Sequence, residues 1–287
     1  MPIISLKNVT HTYSAGTPLS VSAIKNINFD IESGELIGII GHTGSGKSTL
    51  VQHLNGLLKP TGGNVIIDGE DIWANKKQIR AVRFKVGLCF QYPEYQLFEE
   101  TVYKDISFGP KNMGLSKDEI DISVRRAAEY VGLKSELLDK SPFDLSGGEK
   151  RRVAIAGVMA MNPKILILDE PTAGLDPRGR REILDMIVDY KTKTGSTVLL
   201  VSHSMEDVAS VATKILVMNK SKIAMYDTVE KVFSRAEELE SMGLNVPQIT
   251  KIFIDLKSKG IDVGSDIYSV DEGCRRLLPL LNGGERL

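Results

Sequence analysis

The chain has 287 residues, 42% of them hydrophobic and 25% charged, with 36 Lys and Arg against 37 Asp and Glu for a formal net charge of -1. That balance excludes a disordered or fibrous chain, allows one large domain plus a small one, and supplies no bulk field toward nucleic acid or anionic lipid. The two cysteines, Cys89 and Cys274, form no C-x-x-C pair, so neither a disulfide framework nor a zinc site is expected, and a reducing compartment fits.

Residues 1–7 lack a basic stretch followed by a long apolar one, so no secretory signal is expected. No apolar run approaches the roughly 20 residues that span a bilayer, and any membrane association must come through a partner. Residues 3–13 and 21–31 alternate apolar and polar positions around Ser14-Ala15-Gly16-Thr17-Pro18, which predicts an antiparallel pair of strands. Residues 35–40 read as a short buried strand, followed by a glycine-rich loop and a helix from Lys47 to about Leu58. Residues 114–161 read as a mostly helical insertion, with a capping box at Ser116-x-x-Glu119 and apolar spacing through Ile120, Val124, Ala127, Ala128 and Val131. The runs 164–168 and 197–201 are too brief for helices and flank a helical stretch near 180–191, which predicts buried parallel strands with a crossover helix. After about Thr228 the pattern changes: Ile249, Ile252, Phe253 and Leu256 keep helical spacing, with Gly243 and Pro247 as breakers. The expected organisation is a nucleotide-binding domain over 1–230 and a small α-rich C-terminal subdomain over 231–287. With no internal repeat and a single phosphate-loop motif, the chain carries one nucleotide-binding unit.

Gly41-His42-Thr43-Gly44-Ser45-Gly46-Lys47-Ser48 matches G-x-x-x-x-G-K-[ST] between a strand and a helix. Its glycines allow several N–H groups to turn onto phosphate oxygens, and the helix start adds positive partial charge. Lys47 would reach the β and γ phosphates and the Ser48 hydroxyl would bind Mg²⁺. Asp169 and Glu170 end the run Ile165-Leu166-Ile167-Leu168. At the carboxyl end of a parallel strand they can reach that loop, Asp169 toward Mg²⁺ and Glu170 toward an attacking water. Leu145-Ser146-Gly147-Gly148-Glu149 carries two compatible readings: a Ser146-x-x-Glu149 capping box, and a second anion site at a helix start.

Together these motifs resemble the ABC-type ATPases: the phosphate loop, LSGGE at 145–149, ILILDE at 165–170, Ala173-Gly174-Leu175-Asp176, and His203 after a strand, in family order over residues 1 to about 230. The resemblance implies a P-loop NTPase fold with an antiparallel β subdomain, a RecA-like parallel sheet core and a helical insertion. It also implies head-to-tail dimers that sandwich two ATP molecules. Gly41 to Ser48 and the adjoining Thr49 would bind ATP, while Ser146, Gly147 and Gly148 would act in trans on the partner's nucleotide. Tyr13 would stack on adenine, although an aromatic in an edge strand also serves packing. Gln91 corresponds to the glutamine that touches Mg²⁺ and senses the membrane partner, with a polar turn residue as the alternative. Mg²⁺ would thus be held by Ser48, Gln91 and Asp169. Asp176 would lie at the dimer seam, and His203 would contact the γ-phosphate beside the catalytic Glu170 and Lys47. One departure is Glu149, where the commonest family residue is Gln; its carboxylate is expected to fold back onto the Ser146 N–H.

A narrower resemblance rests on Phe90-Gln91-Tyr92-Pro93-Glu94-Tyr95-Gln96-Leu97-Phe98, Gly41-His42-Thr43-Gly44 and Gly243-Leu244-Asn245-Val246-Pro247-Gln248-Ile249-Thr250. These are similar to the ATPase subunits of energy-coupling factor (ECF) transporters, importers of vitamins and trace metal ions. Gly16-Thr17-Pro18 and the segment 52–58 are similar to the second of the two paired A subunits. That implies a heterodimer at the cytoplasmic face of the cell membrane, engaging the coupling helices of a transmembrane T protein near Gln91 to Phe98. A substrate-binding membrane S protein would be engaged indirectly, and the C-terminal piece would strengthen dimerisation. Tyr92, Pro93, Tyr95, Leu97 and Phe98 gather apolar surface for such contact, or for a core. A soluble ABC ATPase acting on nucleic acid or ribosomes is the competing class, and the ATPase subunit of another ABC importer is a further alternative. The basic groups Lys150-Arg151-Arg152 and 178–181 are too short and dispersed for a nucleic-acid stripe and read as helix-face or interface charges. No nucleic-acid partner is expected. A partner that binds ATP without hydrolysing it is disfavoured by the intact Lys47, Asp169, Glu170 and His203 set.

Overall fold

The computed structural model describes residues 2–261, 263–264 and 267–282. Positions 1, 262, 265, 266 and 283–287, which belong to the expected 1–230 and 231–287 units, lie outside the described residues.

Strands β1 (Ile4–Tyr13) and β2 (Val21–Ile31) pair antiparallel, from Ile4 opposite Ile31 to Tyr13 opposite Val21. β3 (Leu36–Ile40) is buried along its whole length and runs into the loop that opens α1 (Lys47–Leu54). α1 stops short of Leu58 because Gly56, at φ 68°, takes the left-handed conformation that terminates helices. β4 (Gly62–Ile67) and β5 (Glu70–Asp71) complete a four-stranded sheet in the order β2-β1-β4-β5. α2 (Ile79–Lys85) leads into β6 (Val86–Cys89). Three helices follow, α3 (Val102–Met113), α4 (Lys117–Tyr130) and α5 (Gly147–Met159), and pack on one another. Both expected capping boxes are present, at Ser116 and at Ser146. The helical layer begins with α3, ahead of residue 114, because Gly109-Pro110 near the end of α3 hides its pattern; the Thr101 hydroxyl caps its start. Then come β7 (Ile165–Asp169), α6 (Pro177–Thr194), β8 (Thr197–Val201), α7 (Met205–Val211), β9 (Lys214–Asn219) and β10 (Lys222–Thr228). The chain continues through α8 (Val229–Phe233), α9 (Ala236–Ser241), α10 (Gln248–Ser258) and α11 (Val270–Asn282).

The second sheet has the order β10-β9-β3-β8-β7-β6, parallel throughout except for β10. Period-2 alternation divides its side chains between two cores. Ile37, Ile39, Ile167 and Leu199 face α1 and the antiparallel sheet. Leu166, Leu168, Val198 and Leu200 face the helical layer of α3 to α6. With both faces covered, strands of continuous apolar residues are the stable solution. No helix among the described residues is long and apolar enough to cross a membrane.

Beyond β10, Val232, Phe233, Leu239, Leu244 and Val246 pack against Ile215 and Val217 of the parallel sheet, so α8 and α9 share the core of the larger unit. α10 has a small core of its own, in which Phe253 meets Val263 and Ile267. Ile249 and Leu256 join it, whereas Ile252, expected on the same face, is 49% exposed.

His53 closes α1 with its ring fully buried, Nδ1 2.7 Å from the Thr49 carbonyl and its ring 4.7 Å edge-on from His11. Burial pulls its pKa down from 6.5 to about 4 against the favourable bond to Thr49. Unfolded His53 takes up a proton near pH 6.5 and the folded ring only near pH 4, so stability falls as the pH drops through that window. Between pH 7 and 4, wild type is expected to lose roughly 3 kcal/mol more than His53→Gln in chemical denaturation. Parallel pH profiles would contradict the burial account.

Candidate active site

Because β3, β8, β7 and β6 are parallel neighbours, the segments after their carboxyl ends stand side by side. β3 delivers the loop 41–48, β8 delivers Ser202 and His203, β7 delivers Asp169 and Glu170, and β6 leads to Gln91. Residues distant in sequence thus share one rim, where open parallel sheets bind ligands.

The loop is shaped by backbone that only glycine tolerates. Gly46 caps α1 at φ 105°, and a Cβ there would lie 2.5 Å from the Ala23 carbonyl oxygen. Lys47 is buried, its Nζ donating to the carbonyls of Gly41 at 2.6 Å and His42 at 3.2 Å. Burial lowers its pKa, opposed by the charges of Glu170 and Asp169. The hydroxyl of Ser45 is fully buried with no hydrogen-bond partner, a polar atom aimed into the loop without a protein group to satisfy it. Asp169 is buried too; desolvation raises its pKa, against a hydrogen bond from Ser48 and the charge of Lys47.

Glu170 adopts φ 53°, an uncommon conformation for a non-glycine residue, and lies buried at the rim. Its backbone N–H donates to the Val201 carbonyl at 2.9 Å, tying the turn to β8. Desolvation pushes the Glu170 carboxyl up to about 7, outweighing its hydrogen bond from the His203 backbone, with Asp169 and Asp207 adding repulsion. Oε1 stands 3.4 Å from His203 Nε2, and burial lowers the pKa of that imidazole. A carboxyl titrating near neutrality in a cleft has the property a general base requires.

Tyr13 ends β1 partly exposed, its hydroxyl 3.3 Å from Thr49 Oγ1 and its ring edge-on to His11 at 4.6 Å, so it stands beside the first turn of α1. Gln91 is exposed after β6, Asp176 is exposed and caps α6 by accepting from the Gly179 N–H at 2.7 Å, and Ser146 to Gly148 are exposed at the start of α5. No hydrogen bond or ion pair joins residues 146–148 to the loop 41–48, Asp169 or Glu170 among the described residues. Glu149 folds back as expected: its Oε2 accepts from the Ser146 N–H at 2.9 Å and hydroxyl at 2.7 Å. The bond from the Ser146 hydroxyl, then that from its N–H, hold the Glu149 carboxyl below its usual range. The residues present fit Mg²⁺. No group of three or more His, Cys, Asp or Glu forms a metal cage among the described residues. The Ser48–Asp169 pair offers two hard oxygen donors, the kind of partial set that substrate phosphates complete.

Two features differ from the sequence reading. Arg151, read as a helix-face or interface charge, is 4% exposed and ion-paired with Glu94 at 2.6 Å. Its helical spacing with the buried Ile155 and Met159 is the signal that marks this position as inward-facing. Of the expected apolar patch, Pro93 is buried and Leu97 half-buried, while Tyr95 and Phe98 are 84% and 59% exposed. Phe98 meets Phe108 edge-on at 5.1 Å along an apolar groove of about 340 Å³ that Phe84, Leu97, Val158 and Met161 also line.

Residues 24–173 match the ABC transporter family. Over 283 residues the chain is 55% identical to the energy-coupling factor transporter ATP-binding protein EcfA2 of Caldanaerobacter subterraneus subsp. tengcongensis, covering 99% of each. The chain belongs to the energy-coupling factor ATP-binding proteins of the ABC transporter family. A second member of this family, EcfA2 of Clostridium acetobutylicum, is 52% identical over 100% of both chains. Among solved structures, cbiO1 from Clostridium perfringens, described as part of the ABC transporter complex cbiONQ, superposes with a TM-score of 0.76 at 39% identity, covering 90% of this chain and 97% of its own. The ATP-binding cassette MJ0796, a dimer bound to ADP and Pi in a post-hydrolysis state, reaches 0.69 at 28% identity, with 79% and 98% covered.

Gly46→Ala is expected to weaken nucleotide binding by at least about tenfold, because the added methyl meets a backbone carbonyl that cannot yield. Isothermal titration calorimetry with MgATP checks this; unchanged affinity would mean that the loop does not carry the nucleotide.

Proposed function

We propose that this chain is the ATP-hydrolysing subunit of an ECF-type importer, pairing head to tail with a second ABC ATPase and driving membrane partners. The observation that supports it most is the convergence of the loop 41–48, Asp169-Glu170 and His203 on the ends of three adjacent strands. The loop N–H groups and Lys47 hold the β and γ phosphates of ATP, and Tyr13 stacks on the adenine. Thr49 continues the loop and carries the Tyr13 hydroxyl. Ser48 and Asp169, with Gln91, would hold Mg²⁺, which supplies charge neutralisation on the phosphates when bound. Glu170, its proton affinity near neutral, takes a proton from the attacking water, and His203 orients the terminal phosphate beside it. Ser146, Gly147 and Gly148, exposed at the start of α5, close over the partner subunit's nucleotide, with Asp176 at the seam. Hydrolysis removes the bridge between the subunits and reopens them.

The groove beside Gln91 to Phe98 receives a coupling helix of the transmembrane T protein, through which a substrate-binding S protein is served. Exposed aromatics along an apolar groove suit a helix-in-groove contact. The protein then acts at the cytoplasmic face of the cell membrane as a peripheral subunit. Residues 1–230, with α8 and α9 packed on their core, form the motor, and the rest of 231–287 is a subdomain that strengthens the pairing.

Glu170→Gln is expected to lower steady-state ATP turnover by about a hundredfold or more while MgATP binding persists; turnover near the wild-type level would remove Glu170 from the role of base. Leu97→Asp with Phe98→Asp is expected to abolish recovery of the membrane partner from detergent extracts without loss of nucleotide binding. Undiminished recovery would place the docking surface elsewhere.

A further inference from the structure

Arg151 is a charged side chain that the reaction chemistry leaves unused and the fold nevertheless buries. Its guanidinium, permanently charged, divides its donors between two segments. Nη2 and Nε donate to the Glu94 carboxylate at 2.6 and 3.1 Å, while Nη1 donates to the carbonyls of Ala173 at 2.6 Å and Pro171 at 3.2 Å. The Tyr92 ring lies 5.9 Å from the guanidinium carbon. Among the described residues it is the one side chain hydrogen-bonded to both the 92–96 segment and the 170–174 turn. Its own helix, α5, opens with Ser146 to Gly148.

The turn it grips is otherwise fixed from the far side. Glu170 N–H is tied to Val201, the Ala173 N–H donates to the Glu170 carbonyl at 3.1 Å, and the buried Thr172 hydroxyl donates to Asp207 at 2.7 Å. Pro171 follows Glu170 directly and Ala173 bonds back to the Glu170 carbonyl, so the position of the two gripped carbonyls bears on the direction of the Glu170 side chain. Stability alone does not account for this arrangement, because well-packed apolar residues often replace a buried ion pair at no cost. A planar fork with separate donors does what they cannot: it ties a carboxylate on one segment and carbonyls on another into one geometry.

We infer that Arg151 is a positioning residue that links the Glu94 segment, beside the apolar groove, to the catalytic turn and to the first turn of α5. A partner seated in the groove shifts Glu94; the guanidinium follows, and with it the carbonyls that aim Glu170. The same residue lies one helical turn from the segment offered to the neighbouring subunit's nucleotide. One side chain thus sets the cis base and the trans grip together. This inference rests on the proposed function of the preceding subsection.

The test uses the complete membrane complex with Glu94→Gln, Arg151→Gln, Arg151→Lys and the Glu94→Gln/Arg151→Gln double variant. ATP turnover, the KM for MgATP and the thermal unfolding midpoint are measured for each. Arg151→Gln is expected to lower kcat by at least about tenfold with KM within about twofold of wild type. Arg151→Lys, a point charge in place of a fork, recovers only part of that loss. The double variant is expected to be no slower than Arg151→Gln alone, the mark of two groups acting as a unit. If Arg151→Gln fails to fold, Glu94→Gln carries the test with the same expected fall in kcat. Unchanged kcat, additive losses in the double variant, or kcat losses that merely track the unfolding midpoint would each overturn the inference. A wild-type complex without ATP turnover would overturn the proposed function and this inference with it. Wild-type turnover with unaffected variants overturns this inference alone.

Discussion

One lysine and two carboxylates are buried together where three parallel strands end, and the rest of the structure follows from holding them there. Lys47, Asp169 and Glu170 are each under a tenth exposed. Taking charges out of water is costly unless they are paired and hydrogen-bonded. Lys47 is held by two loop carbonyls, Asp169 by Ser48, and Glu170 is left with one carboxyl oxygen unbonded and a proton affinity raised to about 7. The site is therefore electrostatically incomplete on its own. On the proposed function, a nucleoside triphosphate brings acceptors for Lys47 and the loop N–H groups, and its cation brings positive charge to Asp169.

The parallel sheet makes that burial possible. Continuous apolar strands, covered by α1 and the antiparallel sheet on one face and by the helical layer on the other, keep their side chains from water. The antiparallel sheet carries Tyr13 to the near side of the loop, and the helical layer presents Ser146 to Gly148 to solvent. On the proposed function, a segment shaped to bind an anion but not bonded to its own phosphate loop serves the nucleotide of a second polypeptide.

Much of this was legible in the amino-acid order because the signals are local. The loop 41–48 declares itself by glycine spacing, Asp169-Glu170 by the apolar run ahead of it, and the Ser146–Glu149 cap by its three-residue interval. The strands of continuous aliphatic residues announced a parallel core. What escaped depends on contacts between distant segments. Arg151 sits between a lysine and another arginine and reads as surface charge; its burial is set by Glu94, 57 positions away. Glu170's neighbourhood includes Asp207, whose bond to Thr172 spans 35 positions. α3 was obscured by Gly109-Pro110 near its end, and the facing of Ile252 by a small core that only the folded C-terminal segment defines.

The central claim is tested most directly by a structure of this chain with its paired ATPase, Mg²⁺ and a non-hydrolysable ATP analogue. The account requires terminal phosphate oxygens within hydrogen-bond reach of Lys47 Nζ, Glu170 facing the terminal phosphate, and the partner subunit's signature segment closing the opposite side. A nucleotide bound away from Lys47 and Glu170, or enclosed by one polypeptide alone, would contradict it.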